Sequence, residues 1–191
     1  KCRLHHRHTP NIIAENAVSI IDNCCDFLVC AEPGLPLPPI KPTDGPNNSN
    51  FMINAAKAGL ETASKEYVLR IRSDVIFINK NFISLYIENY NLTRRFRNIL
   101  SQRVMICNLF TVNPFCVERM PYHYSDWFNF GLLDDVRKIW DVNNMLYADT
   151  VYYKVNPHAE GSNFRETNFN TRLGVEQHIY TSFLKNNDFN C

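Results

Sequence analysis

A chain of 191 residues that is 45% hydrophobic carries enough apolar material for one sizeable core. Its net charge of +1, from twenty basic and nineteen acidic residues, supplies no field strong enough to recruit nucleic acid, so any partner is recognised locally. Seven cysteines without the spacing of a secreted disulfide framework point to reduced thiols, no apolar run reaches membrane-spanning length, and no signal-peptide pattern opens the sequence; the expectation is a soluble, cytoplasmic protein.

The first ten residues, with His5, His6 and His8 around Arg7 and with Cys2, lack a second ligand pair at zinc-like spacing and read as a flexible start. Apolar residues at Ile12, Ile13, Ala17, Ile20 and Ile21 predict a helix over 11–23, and the run over 26–31, headed by Cys24 and Cys25, predicts a strand. Six prolines with Gly34 and Gly45 make 32–50 a loop. Ile53, Ala56, Gly59, Leu60 and Ala63 predict a helix over 51–64, and the β-rich Tyr67–Ile71 that follows stops on Arg72-Ser-Asp74. Beyond it come a helix over 82–90, a strand over 104–110 and a short strand over 127–130. A helix over 133–140 with Asp134 and Asp135 in its first turn follows, then a polar irregular stretch over 147–171 and a last helix over 175–184. Alternating strands and helices predict an α/β layer fold in a single domain spanning 1–191. Ligands of such folds bind outside the carboxyl ends of strands, so Asp74 and Asp126 mark the functional rim.

Asn54, the Gly59-Leu60 pair, Tyr67-Val-Leu-Arg-Ile-Arg-Ser-Asp74, Ser125-Asp-Trp-Phe-Asn-Phe-Gly131 and Gly174-Val-Glu-Gln177 together resemble the WavE family of lipopolysaccharide-synthesis proteins, over roughly residues 50–184. The segment Ser125-Asp-Trp-Phe128 is the most specific part. The resemblance implies a glycosyltransferase with a GT-A-like fold, a Rossmann-like layered sheet with helices on both faces, whose opening strand is missing from this sequence. It further implies a nucleotide-sugar donor, a glycan or lipid-linked acceptor, and a divalent cation, manganese or magnesium, on the donor diphosphate. Donor contacts then fall to Asn54, Arg72 and Asp74, the cation to Asp74 with His178, the acceptor sugar to Trp127, and catalysis to Asp126 and Glu176. Asp74 stands where such enzymes carry an Asp-x-Asp motif, but its first acidic position is Arg72, a residue able to pair with phosphate in bidentate fashion without a cation.

Each residue also has a plain structural role open to it. Arg72 and Asp74 suit an ion pair, Asp126 a turn cap with Trp127 in the core, Glu176 a first-turn acid, and His178 an ordinary helix position. For the whole chain the alternative is a non-catalytic sugar-binding or structural protein on a degenerate glycosyltransferase fold, and a two-carboxylate hydrolase is a third reading. With a lipid-linked acceptor, Arg94, Arg95 and Arg97 are the patch suited to peripheral membrane contact, and a solvated loop is the equal alternative for them.

Overall fold

Period-two alternation along Tyr67-Val-Leu-Arg-Ile71 and Phe128-Asn-Phe-Gly-Leu132 puts three apolar residues of each segment on one face and leaves Val68, Arg70, Asn129 and Gly131 on the other. In the computed structural model, which describes residues 29–72, 74–89, 99–116 and 118–189, these segments pair. The strands are β1 (Tyr67–Ile71), β2 (Met105–Ile106) and β3 (Phe128–Leu132). β1 runs antiparallel to β3 in the register Tyr67↔Leu132 to Ile71↔Phe128, and β2 joins the other edge of β3 through Met105↔Phe130, giving the order β1-β3-β2. Gly131 permits this approach, because a Cβ there would lie 3.1 Å from Val104 Cγ2 and 3.3 Å from the Arg103 carbonyl oxygen.

The helices are α1 (Ser49–Thr62), α2 (Asn81–Asn89), α3 (Leu133–Trp140), α4 (Tyr147–Thr150), α5 (Tyr152–Val155) and α6 (Val175–Asn186), with a 3-10 turn at Glu166–Asn168. Helices cover both faces of the sheet. On the first face, Phe82 and Tyr86 of α2 meet Phe130 edge-on at 5.3 and 4.9 Å between ring centroids, and Phe77 meets Phe128 at 5.5 Å. On the second, Ile53 and Leu60 of α1, Val136, Ile139 and Trp140 of α3, and Ile179 and Phe183 of α6 form the buried core. Each such side chain contributes about 1.5–3 kcal/mol by leaving water.

The architecture is therefore mixed α/β, and the strand pairings among the described residues are antiparallel. The segment expected to form a strand over 104–110 keeps only Met105–Ile106, because Thr111 donates its hydroxyl to the Cys107 carbonyl and its N–H to the Asn108 carbonyl, turning the chain away. Two single-turn helices, α4 and α5, stand in the stretch read as irregular. Arg137 of α3 donates to the Leu60 and Ala63 carbonyls at 3.0 and 2.9 Å, closing the open end of α1. The proline-rich loop docks through the Ile40 and Pro39 carbonyls, which accept from the backbone and side chain of Asn170.

The expected helix over 11–23, His5, His6, His8, Cys2, Cys24, Cys25, Arg94, Arg95 and Arg97 lie outside the described residues. Of the strand expected over 26–31, only 29–31 is described, and it is irregular. No helix among the described residues is long and apolar enough to cross a membrane.

Candidate functional site

Arg70 is the one charged residue of β1, and strand alternation places it beneath α3 and α6. Its guanidinium stacks 4.2 Å from the Trp140 ring centroid, donates to the main-chain oxygen of Asp126, and lies 4.0 Å from Asp126 Oδ2. Burial makes this guanidinium easier to deprotonate than usual, and the Asp126 charge opposes that shift. Beside it, Asn129 accepts from Trp140 Nε1 at 2.9 Å and donates to the Tyr180 hydroxyl at 3.2 Å. Tyr180 is held protonated chiefly by burial.

The β1–β3 ladder runs on past the strand ends, with the Arg72 N–H donating to the Trp127 carbonyl at 3.1 Å. Arg72 therefore emerges beside the Ser125-Asp126-Trp127 turn. It grips Asp74 in bidentate fashion at 2.9 and 2.7 Å, sits 5.7 Å over the Trp127 ring, and brings Nη1 to 3.9 Å from Asp126 Oδ1. This bond raises the Arg72 pKa and lowers that of Asp74.

Ser125, not Asp126, caps the turn: its hydroxyl oxygen accepts the Trp127 N–H, and its own N–H donates to Thr111 Oγ1. Asp126 is left with 2% exposure and no hydrogen bond to either carboxylate oxygen. A buried carboxylate in that condition is costly, and two guanidiniums at about 4 Å attract it without satisfying its lone pairs. Such a group is a natural acceptor for a ligand hydroxyl.

Glu176 reaches the same place from the start of α6. Gly174 donates its N–H to Gln177 Oε1, and Gln177 Nε2 donates to the Pro121 carbonyl, tying α6 to the segment before His123. The glycine sits close to this segment: a Cβ there would lie 3.2 Å from Met120 Cε, which would have to shift slightly, and 3.6 Å from His123 Cδ2, an ordinary contact. His123 Nε2 then stands 3.4 Å from Glu176 Oε2, while its Nδ1 is buried without a partner. Burial raises the Glu176 pKa and the Asp126 charge adds to the rise, whereas His123 and Arg72 draw it down. Four groups from three separate elements thus share one electrostatic neighbourhood. Two bulky residues beside it, Tyr122 and Phe110, hold left-handed backbone at φ 59° and 62°. Each costs about 1–3 kcal/mol, and such strain concentrates at functional sites.

A groove of about 880 Å³ runs from Phe51, Met52 and Ala55 on α1 across β1 to Arg70, Arg72, Asp74 and Val175. The structure therefore gathers five of the residues singled out in the sequence: Arg72, Asp74, Asp126, Trp127 and Glu176. Two others stand apart. Asn54 donates to the Glu32 carbonyl at 3.1 Å and is not in the groove wall, and His178 places Nε2 2.7 Å from the Asn143 carbonyl. Two residues along α6 from Glu176 is more than half a turn, which explains why His178 faces elsewhere. Asp74 is taken up by Arg72, and the described residues hold no group of three or more His, Cys, Asp or Glu fit for a metal ion. Among the described residues, Asp74 and His178 are thus engaged by separate partners and not brought together as ligands of one cation. Arg70 and His123 went unassigned in the sequence, although the charge at an inward strand position was a usable signal for Arg70.

A family model described as WavE lipopolysaccharide synthesis matches residues 28–190. The chain belongs to the WavE family. The WavE match spans the whole cluster, from Arg70 to Glu176, and its description carries a role in lipopolysaccharide synthesis. No curated protein and no solved structure matches the chain.

Proposed function

We propose that this WavE protein is a glycosyltransferase, GT-A-like in its layering, that moves a sugar from a nucleotide-sugar donor to a glycan or lipid-linked acceptor in lipopolysaccharide synthesis. The observation that carries this reading is Asp126, buried and free of hydrogen bonds between Arg70 and Arg72, two residues that line the groove, with Glu176 beside it. A volume of 880 Å³ falls in the range of small-molecule sites.

The donor lies along the groove with its diphosphate at Arg72, whose fork exchanges the Asp74 carboxylate for phosphate oxygens of similar geometry. The bond from the sugar's anomeric carbon to the diphosphate oxygen breaks, and the diphosphate leaves with the electron pair while Arg72 offsets its charge. The acceptor hydroxyl oxygen bonds to that carbon, and its proton passes to Glu176. Burial, which raises the proton affinity of Glu176, suits it to act as this base. Asp126 holds the two guanidiniums in place, and Trp127 offers its ring to the acceptor. No step is routed through a cation. Nucleotide sugars are cytosolic metabolites, so the reaction belongs on the cytoplasmic side, at the membrane face where the acceptor is lipid-linked.

The closed Arg72–Asp74 pair is the observation that favours the non-catalytic alternative. Thermal unfolding with a panel of nucleoside diphosphates and nucleotide sugars, each with and without manganese, separates the two. A ligand at a hundred times its Kd stabilises the fold by about 2.7 kcal/mol. Stabilisation by one nucleotide class that persists without manganese and disappears in Arg72→Ala is expected, together with nucleotide release that Glu176→Gln abolishes. A folded sample that no nucleotide stabilises overturns the transferase reading.

A further inference from the structure

The turn Gly174-Val-Glu-Gln177 separates two cavities. Val175 lines the large groove, while Gly174 and Gln177 line a second cleft of about 350 Å³ on the side of Met120 and Arg119. Glu176 stands between these lining residues in the chain, and its partner His123 lies three residues beyond Met120. The back wall of the cleft is thus the segment that places the proposed base. We propose that this cleft is a further acceptor subsite, beyond the one at Trp127, and that it takes a neutral sugar ring, an inference that rests on the transferase reading.

The chemistry of the lining carries the choice of ligand. Tyr153 and His158, both half-buried, stack at 3.9 Å with 15° between their planes, so each covers one face of the other and the pair can offer an apolar sugar face the outer face of one ring. Around the pair stand two cations, Arg119 and Arg172, and two carboxylates, Glu160 and Glu166. The balance of charge disfavours a phosphate and suits hydroxyl groups, which both donate and accept. Arg119 grips Glu166 through two side-chain bonds and donates to the Gly161 carbonyl, while Glu166 also accepts from the Asn163 N–H. The polar frame is therefore in position before any ligand arrives.

Saturation-transfer NMR on the full chain, with lactose, maltose and N,N′-diacetylchitobiose as probes, tests the assignment. At least one disaccharide is expected to bind, with its Kd raised about tenfold by His158→Ala, while stabilisation by the nucleoside diphosphate stays unchanged in that variant. Tyr153→Ala is the second variant should the first fail to fold. Sugar binding indifferent to both variants overturns the proposal, as does the absence of sugar binding in a sample that nucleotide still stabilises, or competition by inorganic phosphate. Sugar binding at His158 without any nucleotide effect supports the cleft and sinks the transferase reading.

Discussion

Asp126 and Glu176 differ in what surrounds them, and the difference assigns their roles. Asp126 faces two guanidiniums at about 4 Å and accepts a hydrogen bond from neither, so its charge is what keeps Arg70 tolerable under α3 and α6. Asp126→Leu should destabilise the fold by about 3–5 kcal/mol, because it strands a buried guanidinium. Urea unfolding measures this, and a near-neutral result would show that the Trp140 ring and the Asp126 main-chain oxygen suffice for Arg70. Glu176 faces His123 at 3.4 Å and has a pKa raised by burial. A proton on it favours the native state; that contribution is complete below the unfolded carboxylate value and fades as pH rises through the raised folded one. The Tm of the protein minus that of Glu176→Gln should therefore fall as pH rises above the ordinary carboxylate range. Sugar transfer should rise in the same direction as the base ionises. A Tm difference independent of pH contradicts the placement.

Among the elements, α3 shows how much a local pattern reveals. Its span, Leu133–Trp140, is the one that apolar spacing indicates, and β1 likewise occupies Tyr67–Ile71 as its β-rich composition suggests. The two acids in the first turn of α3 look equivalent in the sequence, yet Asp134 is exposed while Asp135 is fully buried and accepts the Ser101 and Gln102 N–H groups at 2.8 and 2.7 Å. Asp135→Ala should cost about 3 kcal/mol, since hydrogen bonds to a charged group are the strong ones. Asp134→Ala should stay within about 0.5 kcal/mol of the parent, as surface changes do. Chemical denaturation of both variants checks the contrast; equal effects would mean that only the helix dipole matters here. The strand expected over 104–110 stops early although its composition is apolar but for Asn108, because the turn that ends it depends on the hydroxyl of Thr111.

At the scale of the whole molecule, segments far apart in the chain are fastened by a few side chains. Asn50 of α1 donates to the Met145 carbonyl at 3.1 Å and accepts the Met145 N–H at 2.8 Å, across 95 residues. Gly34 lies so close to it that a Cβ would come within 2.3 Å of Asn50 Cβ, which locks the proline-rich loop onto α1. Asn50→Ala removes both bonds and leaves Met145 groups buried, so it should lower stability by about 2 kcal/mol. A calorimetric Tm that does not move would show that the loop and α3 hold this junction without it.

Local patterning in the chain was enough for β1, α1, α3 and α6 and for membership of the family, because strand alternation and helical spacing depend only on near neighbours. The partners of each charge came from tertiary packing. Residues 70, 72, 123, 126 and 176 meet through the antiparallel register of β1 with β3 and through the Gln177 tie to Pro121, contacts that no short window of sequence encodes. The same packing gave Asp74 to Arg72 and His178 to the Asn143 carbonyl, and left the buried carboxylate of Asp126 without a hydrogen bond.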